Sequence, residues 1–536
     1  MSESKIVVLN SQPHQPCSPE SSQEHVPTEA EGNQIHVEEN EDLARIEAEQ
    51  DVTPSEPNRG ATPPELEHSV TETYSQGHAA FDLLQPSFED IEDLDRYEIG
   101  GYHPALLGDT YDNGRYRVVH KLGHGGSSTV WLARDHTSRR YVALKILCAE
   151  AADGLNDIKI LKYLEDKNCG HPGRQYIGSI HDQFSIEGPN GSHICLVSEV
   201  LGPSLKDLMS LGKQLRGKIA RKIGRQFVQA VAYLHSEGVC HGDLTAANVA
   251  FGVHNFDSWS EDELYSHLGK PETETIRTAS GKPVSDHAPS YVVQPLSFLK
   301  SDPTRLQDSI RLIDFGISFF VHDPPEFLGT PPSFVAPETW FEMAADKNTD
   351  LWALGCTLYT LRSGLTLVQL YWGGTPLEAV SEIASFLGPL PERWDRLYFD
   401  EEGMPQPRDK YHGSEAPPRW TDELDDKPTR NLHAVAAFIK DEYHGPARAE
   451  DNVEREKLPI ELEIEAEGGR VTYPPETPKQ NMSPDEIDSF ADLLAKVLTW
   501  EPSERASAQD LSDHAWFERG FLDAMAAGDA PSLFQS

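Results

Sequence analysis

Asp243 and Asn248 stand five positions apart in His241-Gly242-Asp243-Leu244-Thr245-Ala246-Ala247-Asn248-Val249. The spacing suits phosphoryl transfer, with a carboxylate to orient a hydroxyl and accept its proton and an amide to hold a magnesium ion. Asp314 comes 66 residues after Asn248, in Leu312-Ile313-Asp314-Phe315-Gly316. It reads as the principal Mg2+ ligand, and the glycine after it permits a sharp turn. Upstream, Val142, Leu144 and Ile146 alternate with Ala143 and Lys145. An inward lysine on a strand is costly unless it meets anions, so Lys145 is the candidate contact for the α- and β-phosphates of ATP.

The HGDxxxxN loop alone leaves two options, because it serves kinases of proteins and kinases of small metabolites. Downstream of it stand Gly329-Thr330-Pro331, Ala336-Pro337-Glu338 and Asp350-Leu351-Trp352-Ala353-Leu354-Gly355, in that order. This order belongs to protein kinases and weakens the small-molecule reading. The spacing from Thr330 to Ala336-Pro337-Glu338 predicts a serine or threonine acceptor, with the Thr330 hydroxyl tethering the catalytic loop. Glu338 is expected to pair with Arg505 and brace the large lobe, and Asp350 to be structural.

These residues need two lobes to position them, so the predicted fold is α+β and bilobal, a small β-rich lobe above a large, mainly helical one. Strand-like runs at 116–122, 129–133 and 141–147 surround the turn Gly123-His124-Gly125-Gly126-Ser127-Ser128, a hairpin whose amides can approach phosphates. ATP contacts are expected from Leu122, Gly123, Gly125, Gly126, Ser128, Val130 and Ala143. A helix over 155–165 is predicted from Ile158, Leu161 and Leu164. It carries Asp157 where kinases usually place a glutamate to meet the strand lysine. One methylene shorter, Asp157 must sit closer or bridge through water. The run 194–201 reads as a buried strand entering the hinge, with the adenine edge meeting the backbone of Glu199 and Leu201. Ser198 falls at the gatekeeper position and predicts an accessible back pocket, unless it is merely a polar residue tolerated in the strand. Ile219, Ile223, Phe227, Val231 and Leu234 form a helical stripe just before the catalytic loop.

The remaining chain divides by composition. Residues 1–100 hold 23 Asp and Glu against 4 Lys and Arg. Such a segment cannot bury enough surface to offset its chain entropy, so 1–85 is expected to be a disordered acidic tail and 86–115 an ordered lead-in. The kinase domain is placed at 116–517, with a small lobe at 116–198 and a large lobe at 202–517. Two acidic inserts are placed at about 252–309, expected on the surface, and 400–480, with helices at 377–386, 431–438, 484–498 and 508–517 and a C-terminal tail at 518–536. The formal charge of −42 argues against direct nucleic-acid binding and favours a basic peptide partner. Six scattered cysteines without a CxxC pair suggest a reducing, intracellular setting, cytoplasmic or nuclear. No leader and no run of roughly 18 apolar residues suggests a membrane partner, and a monomer is expected.

Several pieces together resemble the SR-protein kinases, particularly divergent fungal members: Gly100-Gly101-Tyr102-His103-Pro104, Gly108-Asp109, Arg115-Tyr116, Lys121-Leu122-Gly123, Ser128-Thr129-Val130-Trp131-Leu132-Ala133-Arg134-Asp135, His193 to Val197 with Glu199-Val200-Leu201-Gly202, and the insert before Asp314. The similarity covers about 100–517. It implies an ATP- and Mg2+-dependent enzyme that phosphorylates serines in Arg/Ser-rich splicing factors through an acidic docking groove, active without phosphorylation of its activation loop.

Three positions depart from the usual kinase pattern. Gly242 replaces the arginine that reads a loop phosphate, so activity is expected to be independent of phosphorylation in 317–335. Thr245 stands where serine/threonine kinases place a lysine on the γ-phosphate, and losing such a cation costs on the order of 100- to 1000-fold in rate. Asp157 is the third. Together they keep open a second reading, a pseudokinase scaffold that binds nucleotide or a partner with little catalysis.

Overall fold

Alternating apolar positions and tight glycine turns build residues 110–147 and 180–198 into strands. The computed structural model describes residues 83–518 apart from 89, 154–155, 168–169, 343–344, 371–373, 395–396, 401, 408–429 and 443–478. Nearly all of the expected acidic tail and C-terminal tail, and most of the second insert, lie outside the described residues. Strands β1 (Thr110–Tyr111), β2 (Tyr116–Gly125), β3 (Ser128–Asp135), β4 (Arg140–Leu147), β5 (Ile180–Gly188) and β6 (Gly191–Ser198) form one antiparallel sheet in the order β1-β2-β3-β4-β6-β5. Its register sets Val130 opposite Lys145 and Ala143 opposite Ser198. The glycine hairpin is tighter than its sequence suggests. Gly123 and Gly125 pair within the ladder with Val130 and Ser128, and only Gly126 and Ser127 form the turn.

After the sheet the chain becomes helical, because apolar residues recur at helical rather than strand spacing. The helices are α1 (Asn156–Glu165), α2 (Leu205–Ser210), α3 (Gly217–Ser236), α4 (Glu261–Leu268), α5 (Phe298–Ser301), α6 (Pro337–Glu342), α7 (Lys347–Ser363), α8 (Pro376–Leu387), α9 (Leu432–Ala437), α10 (Pro484–Ala495), α11 (Ala508–Leu511) and α12 (Ala515–Glu518). Ile223, Phe227, Val231 and Leu234 of α3 pack with Trp352, Leu354 and Leu358 of α7 in the main core. Each such side chain contributes about 1.5–3 kcal/mol when fully buried. Asp346 caps α7 by accepting from the amides of Asn348 and Thr349, and Gly364 ends it in the left-handed region at φ 72°.

Two small sheets connect this core to the motifs. β7 (Leu201–Ser204), β9 (Val249–Val253) and β12 (Leu306–Leu312) lie in the order β12-β9-β7, β8 (Val239–Cys240) pairs with β13 (Phe319–Phe320), and β10 (Thr273–Thr275) pairs with β11 (Tyr291–Val293) within the insert. Leu312 sits opposite Val249, and the Ile313 amide donates to Asn248 O at 3.0 Å. This pairing brings Asp314 beside Asn248 despite the insert between them.

Three expectations need correction. The strand predicted at 194–201 breaks after Ser198 and resumes at Leu201. The helix predicted at 508–517 is two short helices, α11 and α12. The insert at 252–309 is not a surface ornament. Phe256, Leu264, Leu268 and Phe298 are buried in the main core, while Val293, with lead-in Ala105, covers the sheet face bearing Val142, Leu144 and Ile146. Ile276, Ala288 and Val292 form a third cluster with Leu94, Tyr97 and Tyr102 of the lead-in. Sparse apolar residues at helical and strand spacing outweigh the acidic average, because a sheet face must be covered by something.

Candidate active site

Strand alternation carries Lys145 to the face of β4 opposite that covered by the lead-in and insert. Its Nζ lies 3.2 Å from Asp157 Oδ2 and 3.2 Å from Asp314 Oδ1. Of the two geometries expected for Asp157, the closer one is adopted, with direct contact to the lysine. The other carboxylate oxygen, Oδ1, accepts from the buried amide of Phe315. One short side chain thus joins α1, β4 and the Asp314 segment. Burial alone would lower the Lys145 pKa, but the two aspartates raise it above its usual value. Burial would likewise raise that of Asp314, yet Lys145 holds it below the ordinary carboxylate range. Both groups are therefore charged at neutral pH.

The catalytic loop is fixed from below. Asp350 on α7 is buried and accepts from the amides of His241 at 2.8 Å and Gly242 at 2.9 Å, and from His235 Nε2 at 3.0 Å. The Thr330 hydroxyl donates to Gly242 O, the tether expected from its spacing. Arg505 meets Glu338 through two bonds, at 2.5 and 2.7 Å, in the buried pair expected from sequence. Gly242 has φ 80°, and a Cβ there would lie 2.9 Å from Ile317 O. An arginine is sterically excluded at this position, a backbone reason that the sequence did not disclose.

Within the loop, Asn248 Nδ2 donates to Asp243 O at 2.9 Å and to Asp243 Oδ2 at 2.7 Å. That leaves the amide oxygen of Asn248 for a cation, beside Asp314. An oxygen pair of this kind fits Mg2+, a hard ion that prefers oxygen ligands. Asp243 Oδ1 is buried and has no hydrogen-bond partner among the described residues, so it is free to accept from an incoming hydroxyl. Burial raises the Asp243 pKa above its usual value, and the nearby Asp314 and Asp350 charges add to this.

The ATP-side residues gather less tightly. Leu122, Gly123, Gly125, Ser128, Val130 and Ala143 lie on β2, β3 and β4, the last of which carries Lys145, and Gly126 lies in the turn between β2 and β3. Glu199 turns its carboxylate to Arg311 Nε at 2.8 Å, tying the hinge to β12, and Leu201 stands opposite Gly252. Sequence reasoning missed Arg311 and also Asn156, whose side-chain amide donates to the carbonyls of Gly316 and Ser318. Ser318 is 2% exposed and donates to His241 O at 2.8 Å, so it is a structural tether.

Residues 116–256 match the family model described as protein kinase domain. The chain is 35% identical over 195 residues to Protein kinase dsk1 of Schizosaccharomyces pombe, covering 35% of each chain. It is 39% identical over 177 residues to SRSF protein kinase 3 of Homo sapiens, covering 32% of this chain and 31% of the relative. Against Serine/threonine-protein kinase SRPK of Physarum polycephalum it is 26% identical over 462 residues, covering 81% and 92%. The chain thus spans about a third of the length of the first two relatives and most of the third. All three carry the names of kinases, which lends no support to the scaffold reading. By fold, motif order and these similarities, residues 116–256 carry a protein kinase domain, and the chain is similar to the SR-protein kinases.

Proposed function

We propose that the chain is an active serine/threonine protein kinase that transfers the γ-phosphoryl group of ATP to hydroxyls in basic, Arg/Ser-rich proteins such as splicing factors. The observation that carries the reading is the contact of Lys145 with both Asp157 and Asp314 at 3.2 Å, with Asp157 also on the Phe315 amide. That arrangement needs no phosphate on the activation segment. Lys145 holds the α- and β-phosphates, and the amides of the glycine hairpin cradle them. Asn248 and Asp314 would hold Mg2+, which neutralises charge on the phosphates when bound. Asp243 orients the acceptor hydroxyl and takes its proton through Oδ1, while Asn248 fixes Oδ2.

The relatives named for SRSF proteins and the formal charge of −42 support a basic, Arg/Ser-rich substrate. The enzyme acts as a monomer inside the cell, in cytoplasm or nucleus, on protein rather than on nucleic acid. The test is Mg2+-dependent phosphate transfer from ATP to an Arg/Ser peptide and to a generic basic protein, with Asp243→Asn as control. Transfer to the Arg/Ser peptide alone supports the full proposal. Transfer to both supports a kinase of broader specificity, and transfer to neither refutes catalysis.

A further inference from the structure

The Gly100-Gly101-Tyr102-His103-Pro104 motif has no part in the chemistry above, yet it sits against the phosphate hairpin. Gly100 adopts φ 92°, and a Cβ on Gly101 would lie 1.8 Å from Arg96 O, so the two glycines allow a turn that other residues could not make. The turn is closed by the Tyr102 amide donating to Arg96 O at 2.9 Å and by Asn190 Nδ2 donating to Tyr102 O at 2.6 Å. It presents a tyrosine that is 2% exposed, edge-on to Tyr97 with ring centroids 5.5 Å apart and with the Arg96 guanidinium 5.5 Å from its ring.

The Tyr102 hydroxyl donates to Gly125 O at 2.7 Å. Gly125 is the last residue of β2, immediately before the Gly126-Ser127 turn. On the far side of that turn, Ser127 O accepts from the Cys148 amide at 2.8 Å. The hairpin tip is therefore anchored on both flanks, once by the lead-in.

We infer that Tyr102 is a positioning residue for nucleotide binding, holding the tip of the glycine hairpin in its phosphate-binding conformation. In a trans peptide the carbonyl and the next amide point in opposite directions. Fixing Gly125 O toward Tyr102 therefore aims the Gly126 amide away from the lead-in, where a phosphate oxygen can reach it. A Cβ on Gly123, Gly125 or Gly126 would meet nothing within 4 Å, so no packing of their own restrains these residues. Ordering them in advance removes entropy that ATP would otherwise have to overcome on binding. The inference rests on the proposed kinase reading, in which this tip covers ATP.

Tyr102→Phe keeps the ring contacts and removes only the hydroxyl, so the variant is expected to fold. The full chain is measured for ATP·Mg affinity by calorimetry, for kcat, for Tm, and for amide exchange across 123–128. The expected result is a Kd for ATP raised about five-fold, as for loss of a hydrogen bond worth about 1 kcal/mol, with kcat changed by less than about two-fold and faster exchange at the tip. A wild-type protein that binds ATP·Mg, with an unchanged Kd in Tyr102→Phe, overturns the inference alone, whether or not Tm falls. A wild-type protein that binds no ATP·Mg overturns the kinase reading and this inference with it.

Discussion

Restoring the usual glutamate at position 157 should weaken this enzyme. Asp157 is 8% exposed and reaches Lys145 Nζ at 3.2 Å with one oxygen while accepting from the Phe315 amide with the other. The extra methylene of Asp157→Glu moves the carboxylate outward by about one bond length, so both contacts cannot be kept without displacing α1. Of the two contacts, the Phe315 amide is the one lost, because the long, partly exposed Lys145 side chain can adjust and the backbone cannot. A hydrogen bond to a charged group is worth about 1.5–3 kcal/mol, and the amide left behind is buried. At 1.4 kcal/mol per tenfold, the expected fall in kcat/KM is about 10- to 100-fold. Asp157→Asn removes the charge from both contacts and should fall further. The assay is steady-state phosphorylation of a basic peptide across ATP concentrations, with Tm recorded for each variant. An Asp157→Glu protein as fast as wild type, or faster, would show that the short side chain is a stretched compromise and would refute the geometry argued here.

Glu338→Ala should destabilise the chain by about 3–5 kcal/mol, because it strands the buried Arg505 guanidinium, and the drop is read as a lower urea midpoint at unchanged slope. Gly242→Arg should reduce activity rather than introduce control by loop phosphorylation, since φ 80° and the nearby Ile317 O exclude a side chain. In the same assay Ser333→Ala should leave the rate within about three-fold of wild type, whereas a large loss would point to a phosphate-dependent activation segment. The acid limb of the kcat/KM profile reports the carboxyl of the free enzyme's base. Asp243 works ionised and its pKa is raised by burial, so activity should fall with decreasing pH at a higher pH than an unperturbed aspartate would give. A limb at the ordinary aspartate position would remove Asp243 from the role of base.

The residues legible in the sequence are those whose type and spacing the chemistry constrains. Asp243, Asn248, Asp314, Lys145, Thr330 and Glu338 are of this kind, and the fold sets Asn248 on Asp243, Lys145 on Asp314, Thr330 on Gly242 and Glu338 on Arg505. The lobes were legible because apolar period changes from strand to helix between residues 116 and 236. Less legible were features that depend on distant partners. Phe256, Leu264 and Ile276 are thinly spread through an acidic insert, and only the sheet and lead-in they cover give them meaning. Asp157 departs from the usual glutamate, and only the position of α1 shows how the shorter side chain reaches Lys145. Gly242 shows in the sequence only the arginine it lacks, while its positive φ explains why glycine stands there. The Tyr102 bond to Gly125 joins residues whose contact no local pattern encodes.

The account stands most directly on phosphate transfer by the purified full-length chain, comparing wild type with Asp243→Asn at saturating ATP and Mg2+ on an Arg/Ser peptide. It predicts phosphoserine on the peptide with wild type, and a signal lower by at least about 100-fold with Asp243→Asn while ATP binding is retained. Equal transfer by the two proteins, or none by a wild type that binds ATP, would contradict it.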